Sequence, residues 1–222
     1  MELILDTADV QAIKELDELL TVKGVTTNPT IITKSGKDAE VVIKEIADYL
    51  DEDQLFFIQV VATDYEGIMK EAKEISAIRP KNMYVKIPVT HAGLKAIKEC
   101  KKLGINTLAT AIYSADEAFL AAMNGADYLA PYVNRMCNYG DGVAEVKDLI
   151  EMLKVHNLPS KIVAASFKNT LQAHELIKAG IQAETLPPDV VWSMINHPGT
   201  TIAVGEFSVN WKKAYGRDTL FK

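Results

Sequence analysis

Eight short, β-prone apolar runs alternate with helix-patterned segments along the chain, and this alternation limits the fold more than any other feature. The runs fall at 2–5, 23–26, 55–61, 83–87, 105–112, 127–131, 161–165 and 182–186. Between them lie segments such as ADVQAIKELDELL, YEGIMKEAKEI and GVAEVKDLIEMLK, with apolar residues every three or four positions and lysine or glutamate opposite. Strand and helix in strict alternation imply parallel strands joined by right-handed crossovers. Eight such units in 222 residues predict a compact (β/α)8 TIM barrel, near the lower end of a size range of roughly 200 to more than 400 residues. The alternative is an open doubly wound sheet, but the Gly-rich dinucleotide fingerprint is missing. The reading is a single domain over 1–222, of which about 197–222 is an additional C-terminal helix. In that extension Phe207, Trp211 and Tyr215 form an apolar stripe at helical spacing. The stripe is expected to pack either under its own barrel or onto a neighbouring subunit.

Charge narrows the partners. With 24 basic and 30 acidic residues the net charge is −6, which disfavours nucleic acid and anionic membrane surfaces and favours a small-molecule substrate. The opening MELILDTADV lacks a basic leader, and no apolar stretch approaches the roughly 18 residues of a membrane span, so a cytoplasmic location is expected. Cys100 and Cys137 form no C-x-x-C pair and read as free thiols. His91, His156, His174 and His197 fall on helices or in a loop after a helix, so no metal site and no cofactor are expected.

In a barrel of this kind the chemistry stands at the C-terminal ends of the strands. The polar residues there are Asp6; Thr26, Thr27 and Asn28; Gln59; Lys86; Thr110; Tyr132, Asn134 and Arg135; and Ser166 with Lys168. A lysine inside Met-Tyr-Val-Lys-Ile-Pro is the oddest of them. If Val85 and Ile87 face the helices, Lys86 faces the barrel interior and cannot snorkel to water. It is then either a structural cation satisfied by Asp6 or a Schiff-base nucleophile, its usual pKa of about 10.4 depressed by burial so that a neutral amine can add to a ketone.

Arg135 is the only arginine of three at a strand end, since Arg79 ends a helix and Arg217 lies in the tail. With Ser166, which follows strand seven, it forms a candidate phosphate grip. Lys168 reads as a surface residue at a helix start, and Asp141 in Gly140-Asp141-Gly142 as a helix cap. Gln59 interrupts an apolar run and needs partners if buried. A water shared by Gln59, Thr110 and Tyr132 would serve all three and stand where a proton must move.

At these residues the sequence resembles the transaldolase family, most closely its small-subunit branch, which includes fructose-6-phosphate aldolase. The resemblance is carried by Leu3-Asp6-Thr7, Gly24-Val25-Thr26-Thr27-Asn28-Pro29, Val85-Lys86-Ile87-Pro88-Val89-Thr90, Ala130-Pro131-Tyr132-Val133-Asn134-Arg135 and Ala164-Ala165-Ser166-Phe167-Lys168, in order and spanning nearly the whole chain. It implies a metal-free class I mechanism: Lys86 forms an imine with a ketose, and a retro-aldol step parts glyceraldehyde 3-phosphate from a dihydroxyacetone unit. In that pattern Asp6 assists proton transfer, Thr26 and Asn28 hold donor hydroxyls, and Arg135 and Ser166 take the phosphate. A small ketone would sit near Thr110 and Ala130. The resemblance also implies a homo-oligomer, pentamers pairing into decamers, with the C-terminal helix crossing to a neighbour. Transaldolases usually carry glutamate and phenylalanine where this chain has Gln59 and Tyr132. A tyrosine at the catalytic water would protonate the enamine and release free dihydroxyacetone, which favours cleavage of fructose 6-phosphate over transfer of the three-carbon unit to erythrose 4-phosphate. A catalytically silent sugar-phosphate-binding barrel is the alternative from another class.

Overall fold

Each expected run becomes a strand. The computed structural model describes residues 1–221, with β1 (Glu2–Asp6), β2 (Val22–Thr26), β3 (Leu55–Gln59), β4 (Met83–Pro88), β5 (Thr107–Ile112), β6 (Tyr128–Pro131), β7 (Lys161–Ala164) and β8 (Ala183–Leu186). All neighbours are parallel, the order in space is the order in sequence, and β8 pairs back onto β1 to close the barrel. Two strands, β3 and β5, are two residues shorter than the apolar runs that contain them, for identifiable reasons. Beyond Gln59 the N–H groups of Val61 and Ala62 donate to the Glu71 carboxylate instead of to a strand. Before Thr107, the Ile105 N–H closes the preceding helix by bonding the Cys100 carbonyl.

Seven helices match the expected segments: α1 (Val10–Leu19), α3 (Ala39–Tyr49), α4 (Tyr65–Ser76), α5 (His91–Lys102), α6 (Ala115–Met123), α8 (Gly142–Val155) and α9 (Thr170–Lys178). Three more, α2 (Pro29–Lys34), α7 (Val133–Met136) and α10 (Pro188–Ile195), are too short to show a period. Most N-termini are capped by a side chain, six of them in the loop leaving the preceding strand (Asp9, Asn28, Asp64, Thr90, Ser114 and Asn169), while Asp141 caps α8 after the short α7. Such a cap contributes about 1 kcal/mol and fixes how the strand end meets its helix. Gly93 in α5 is required by contact, because a Cβ there would run into the Pro88 carbonyl and push the helix off β4.

Alternation along the strands divides the core in two. Ile4, Leu55, Phe57, Leu108, Tyr128, Val163 and Ala183 fill the barrel interior. Leu5, Val25, Phe56, Ile58, Val85, Ile87 and Ala109 pack outward against the helices. Phe57, Tyr84 and Tyr128 form an aromatic triad, with ring centroids 4.9, 5.3 and 5.1 Å apart. Tyr84 pairs with Phe57 in register, one inward layer below the Gln59 and Lys86 pair.

The last helix, α11 (Pro198–Tyr215), ends at Gly216 in left-handed conformation. None of its residues is buried, and Phe207 is 68 % exposed. Packing under its own barrel is therefore not what this chain does. Among the described residues, no helix is long and apolar enough to cross a membrane.

Candidate active site

The strand ends open into a cavity of about 530 Å³ whose wall includes Asp6, Asn28, Gln59, Lys86, Tyr132, Arg135 and Ser166. Lys86 stands at its base, 2 % exposed, while Val85 and Ile87 pack outward as alternation requires. Its ammonium does not pair directly with Asp6; Nζ donates to the Thr27 carbonyl at 2.7 Å. Burial drives the Lys86 pKa down, only partly opposed by the charge of Asp6. Burial also pushes the Asp6 carboxyl up, against the attraction of Lys86, a hydrogen bond from Thr26 and the more distant Arg135 and Lys168. Both shifts favour the same state, a neutral amine facing a protonated carboxyl.

Thr26 does not line the cavity. It is fully buried, its Oγ1 2.7 Å from Asp6 Oδ1 and 2.6 Å from Thr185 Oγ1, so it anchors Asp6 from beneath. Asn28 reaches the cavity wall while its Oδ1 caps α2 at the Ile31 N–H, 3.0 Å away, which leaves the amide nitrogen for a ligand. Gln59 Oε1 is buried and lacks a hydrogen-bond partner among the described residues. Thr110 Oγ1 donates directly to the Tyr132 hydroxyl at 3.2 Å. Burial raises the Tyr132 pKa, opposed by that hydrogen bond and by Arg135, so the phenol keeps its proton.

Arg135 is exposed and rests on the Tyr132 ring, its Cζ 4.9 Å from the centroid, with Nη1 3.4 Å from the Tyr113 hydroxyl. Ser166 lies beside it on the cavity wall with φ of 62°, and its carbonyl accepts the Asn134 N–H at 3.1 Å. Lys168, expected as a plain surface residue, also lines the cavity, because Phe167 turns into the outer core and leaves its neighbours facing the mouth. Lys34, on the α2 side, was not singled out by sequence reasoning and lines the cavity too. Its place six residues after the Asn28 cap was the only available signal. Asp6 is thus the one acidic side chain in the lining, and Lys34, Arg135 and Lys168 add three cations beside the neutral Lys86, which suits an anionic substrate. Three of the four histidines begin or end helices (His91, His156, His197), and the fourth lies within α9.

Architecture and site together define an α/β barrel enzyme with its polar residues gathered at the C-terminal mouth. The fold is shared with solved structures of low sequence identity. A dihydrodipicolinate synthase from Rhodopseudomonas palustris aligns with a TM-score of 0.61 at 11 % identity, over 84 % of this chain and 69 % of the other. A structure described as native KDPGal gives 0.56 at 17 %, over 84 % and 82 %. A putative fructose-1,6-biphosphate aldolase from Coccidioides immitis gives 0.55 at 14 %, over 84 % and 76 %. The family described as transaldolase/fructose-6-phosphate aldolase matches residues 3–216, and the chain belongs to it.

Proposed function

We propose that the protein is a metal-independent class I aldolase that reversibly cleaves fructose 6-phosphate to dihydroxyacetone and glyceraldehyde 3-phosphate. The observation that carries this reading is Lys86, buried at the base of the cavity with its pKa driven down and a carboxyl of raised pKa nearby. The neutral amine adds to the C2 ketone, and Asp6 gives its proton to the departing hydroxyl to leave a protonated imine. The carboxylate left on Asp6 then takes the C4 hydroxyl proton, and the C3–C4 bond breaks with its electron pair flowing into the imine as an enamine. Glyceraldehyde 3-phosphate leaves with its phosphate on Arg135, Ser166 and Lys168. Thr26 acts through Asp6, and Asn28 holds a hydroxyl of the three-carbon unit. Tyr132, hydrogen-bonded to Thr110, supplies the proton for enamine C3, with Gln59 Oε1 orienting the water that relays it. Hydrolysis of the resulting imine frees dihydroxyacetone. The exposed stripe of α11 supports a homo-oligomer in which this helix covers a neighbouring subunit.

The test is glyceraldehyde 3-phosphate release from fructose 6-phosphate, with and without erythrose 4-phosphate. Steady release with free dihydroxyacetone in the absence of acceptor is the expected result. Release that depends on erythrose 4-phosphate and yields sedoheptulose 7-phosphate would make the protein a transaldolase. Absence of a borohydride-reduced adduct at Lys86 would leave a binding protein.

A further inference from the structure

Four non-glycine residues among those described have positive φ. Two are Asn82 and Asn157, of a type that tolerates left-handed backbone; the others are Ala111 (φ 56°) and Ser166 (φ 62°), and both line the cavity. They follow Thr110 on β5 and Ala165 after β7, so they flank the segment that carries Tyr132 and Arg135.

Leu108 faces the interior, Ala109 the helices, and Thr110 the interior again. Regular alternation would next send residue 111 outward, but Ala111 also faces the cavity and Ile112 takes the outward position, fully buried. The register shows the extra residue: Ala109 pairs with Leu129 and Ile112 with Pro131, three steps on β5 against two on β6. This is a β-bulge, and it inverts the parity of everything after it. Without it Ile112 would enter the cavity; with it Ile112 closes the outer layer, and Tyr113, the first residue past the strand, packs in part against that layer. With it Tyr113 reaches Arg135 at 3.4 Å, one bulge away from the Thr110 contact with Tyr132 at 3.2 Å.

We propose that Ala111 is a positioning residue whose left-handed bulge sets Thr110 against Tyr132 and Tyr113 against Arg135 together, so that proton delivery and phosphate recognition depend on one backbone turn. The proposal rests on the aldolase reading above. It requires only that residue 111 hold a positive φ, which glycine does freely, alanine at a cost and a β-branched residue hardly at all.

The experiment compares Ala111→Gly, Ala111→Val and Tyr113→Phe in the full chain. Three readouts are taken: borohydride trapping at Lys86, kcat for fructose 6-phosphate cleavage, and the kcat/KM preference for glyceraldehyde 3-phosphate over glyceraldehyde in synthesis. Ala111→Val is expected to trap normally yet lose at least tenfold in both kcat and phosphate preference, with no further kcat loss when Tyr132→Phe is added. Ala111→Gly is expected to keep the preference and at least a third of kcat. Tyr113→Phe, which leaves the backbone alone, is expected to lower the preference about threefold with a smaller loss of kcat. Wild-type kcat and preference in Ala111→Val would overturn the proposal. So would an Ala111→Gly variant that loses both, or a Tyr113→Phe variant with unchanged preference, and these two decide the matter if the valine variant does not fold. Failure of the wild type to trap at Lys86 would instead refute the aldolase reading.

Discussion

The two ends of the barrel interior are built from the same strands by the same alternation, and they differ in almost every physical respect. The floor is aromatic: Phe57, Tyr84 and Tyr128 meet in stacked and edge-on contacts. Around them the strands pair in parallel, with one shift of register between Leu3 and Ile4 where β1 meets β2. The mouth holds a buried amine, a carboxyl pushed toward neutrality, an amide oxygen without a partner and two left-handed residues. Each of those features costs stability, and together they mark where the fold is strained for chemistry. The difference teaches that this barrel is held together from below and from the outer layer, so that its upper rim is free to be unfavourable.

That contrast can be broken or sharpened by substitution. The largest effect is expected from Lys86→Met at the mouth, which should abolish turnover and borohydride trapping while the thermal midpoint stays at or above that of the wild type; calorimetry beside the cleavage assay checks it. Residual turnover above background would remove Lys86 from the mechanism. At the floor the order reverses. Phe57→Ala leaves a cavity under the catalytic layer and should cost about 3–5 kcal/mol, read from urea unfolding; a cost below 1 kcal/mol would show that the floor is not what holds the barrel.

A third site lies in the outer layer. Glu184, in register with Leu3 and Ala164, is fully buried with neither oxygen hydrogen-bonded, and burial pushes its pKa up to about 8. The unfolded carboxyl ionises near 4.5 and the folded one near 8, so between those values the folded chain binds the extra proton. Stability should therefore fall as pH rises through that interval and level off above it. Glu184→Gln should remove the dependence and stabilise the chain at pH 7 by about 3 kcal/mol. Urea midpoints measured from pH 5 to 9 that run parallel in the two proteins would show that the carboxyl has a partner.

Most of this was legible in the sequence because the strand signal and the site signal coincide. Lys86 stood out as a charge between Val85 and Ile87, and the same alternation that makes it anomalous also aims it inward. Gln59 was legible for the same reason. Thr26 was assigned to the substrate because position along a strand does not tell a lining residue from one that props up its neighbour, as Thr26 does for Asp6. Lys168 is exposed at a helix start, as its position suggests, and its place on the cavity wall was hidden because strict alternation fails at Ser166, where a left-handed turn sends Phe167 outward. The bulge at Ala111 left no trace at all, since alanine there gives no hint of positive φ and only the pairing of β5 with β6 exposes the added residue. The fate of α11 was open because an amphipathic stripe states that it needs a cover and not where the cover lies.

Closure of the barrel by its first and last strands has a consequence for the chain while it is being made. Glu2 pairs with Ala183 and Leu5 with Leu186, so the ring joins residues roughly 180 positions apart. A ribosome must release almost the entire protein before β1 finds its second neighbour. Until then β1 and the newest strand present bare edges, which other nascent chains can pair with. Synthesis rate and chaperone supply, rather than final stability, should therefore govern how much soluble protein a cell recovers.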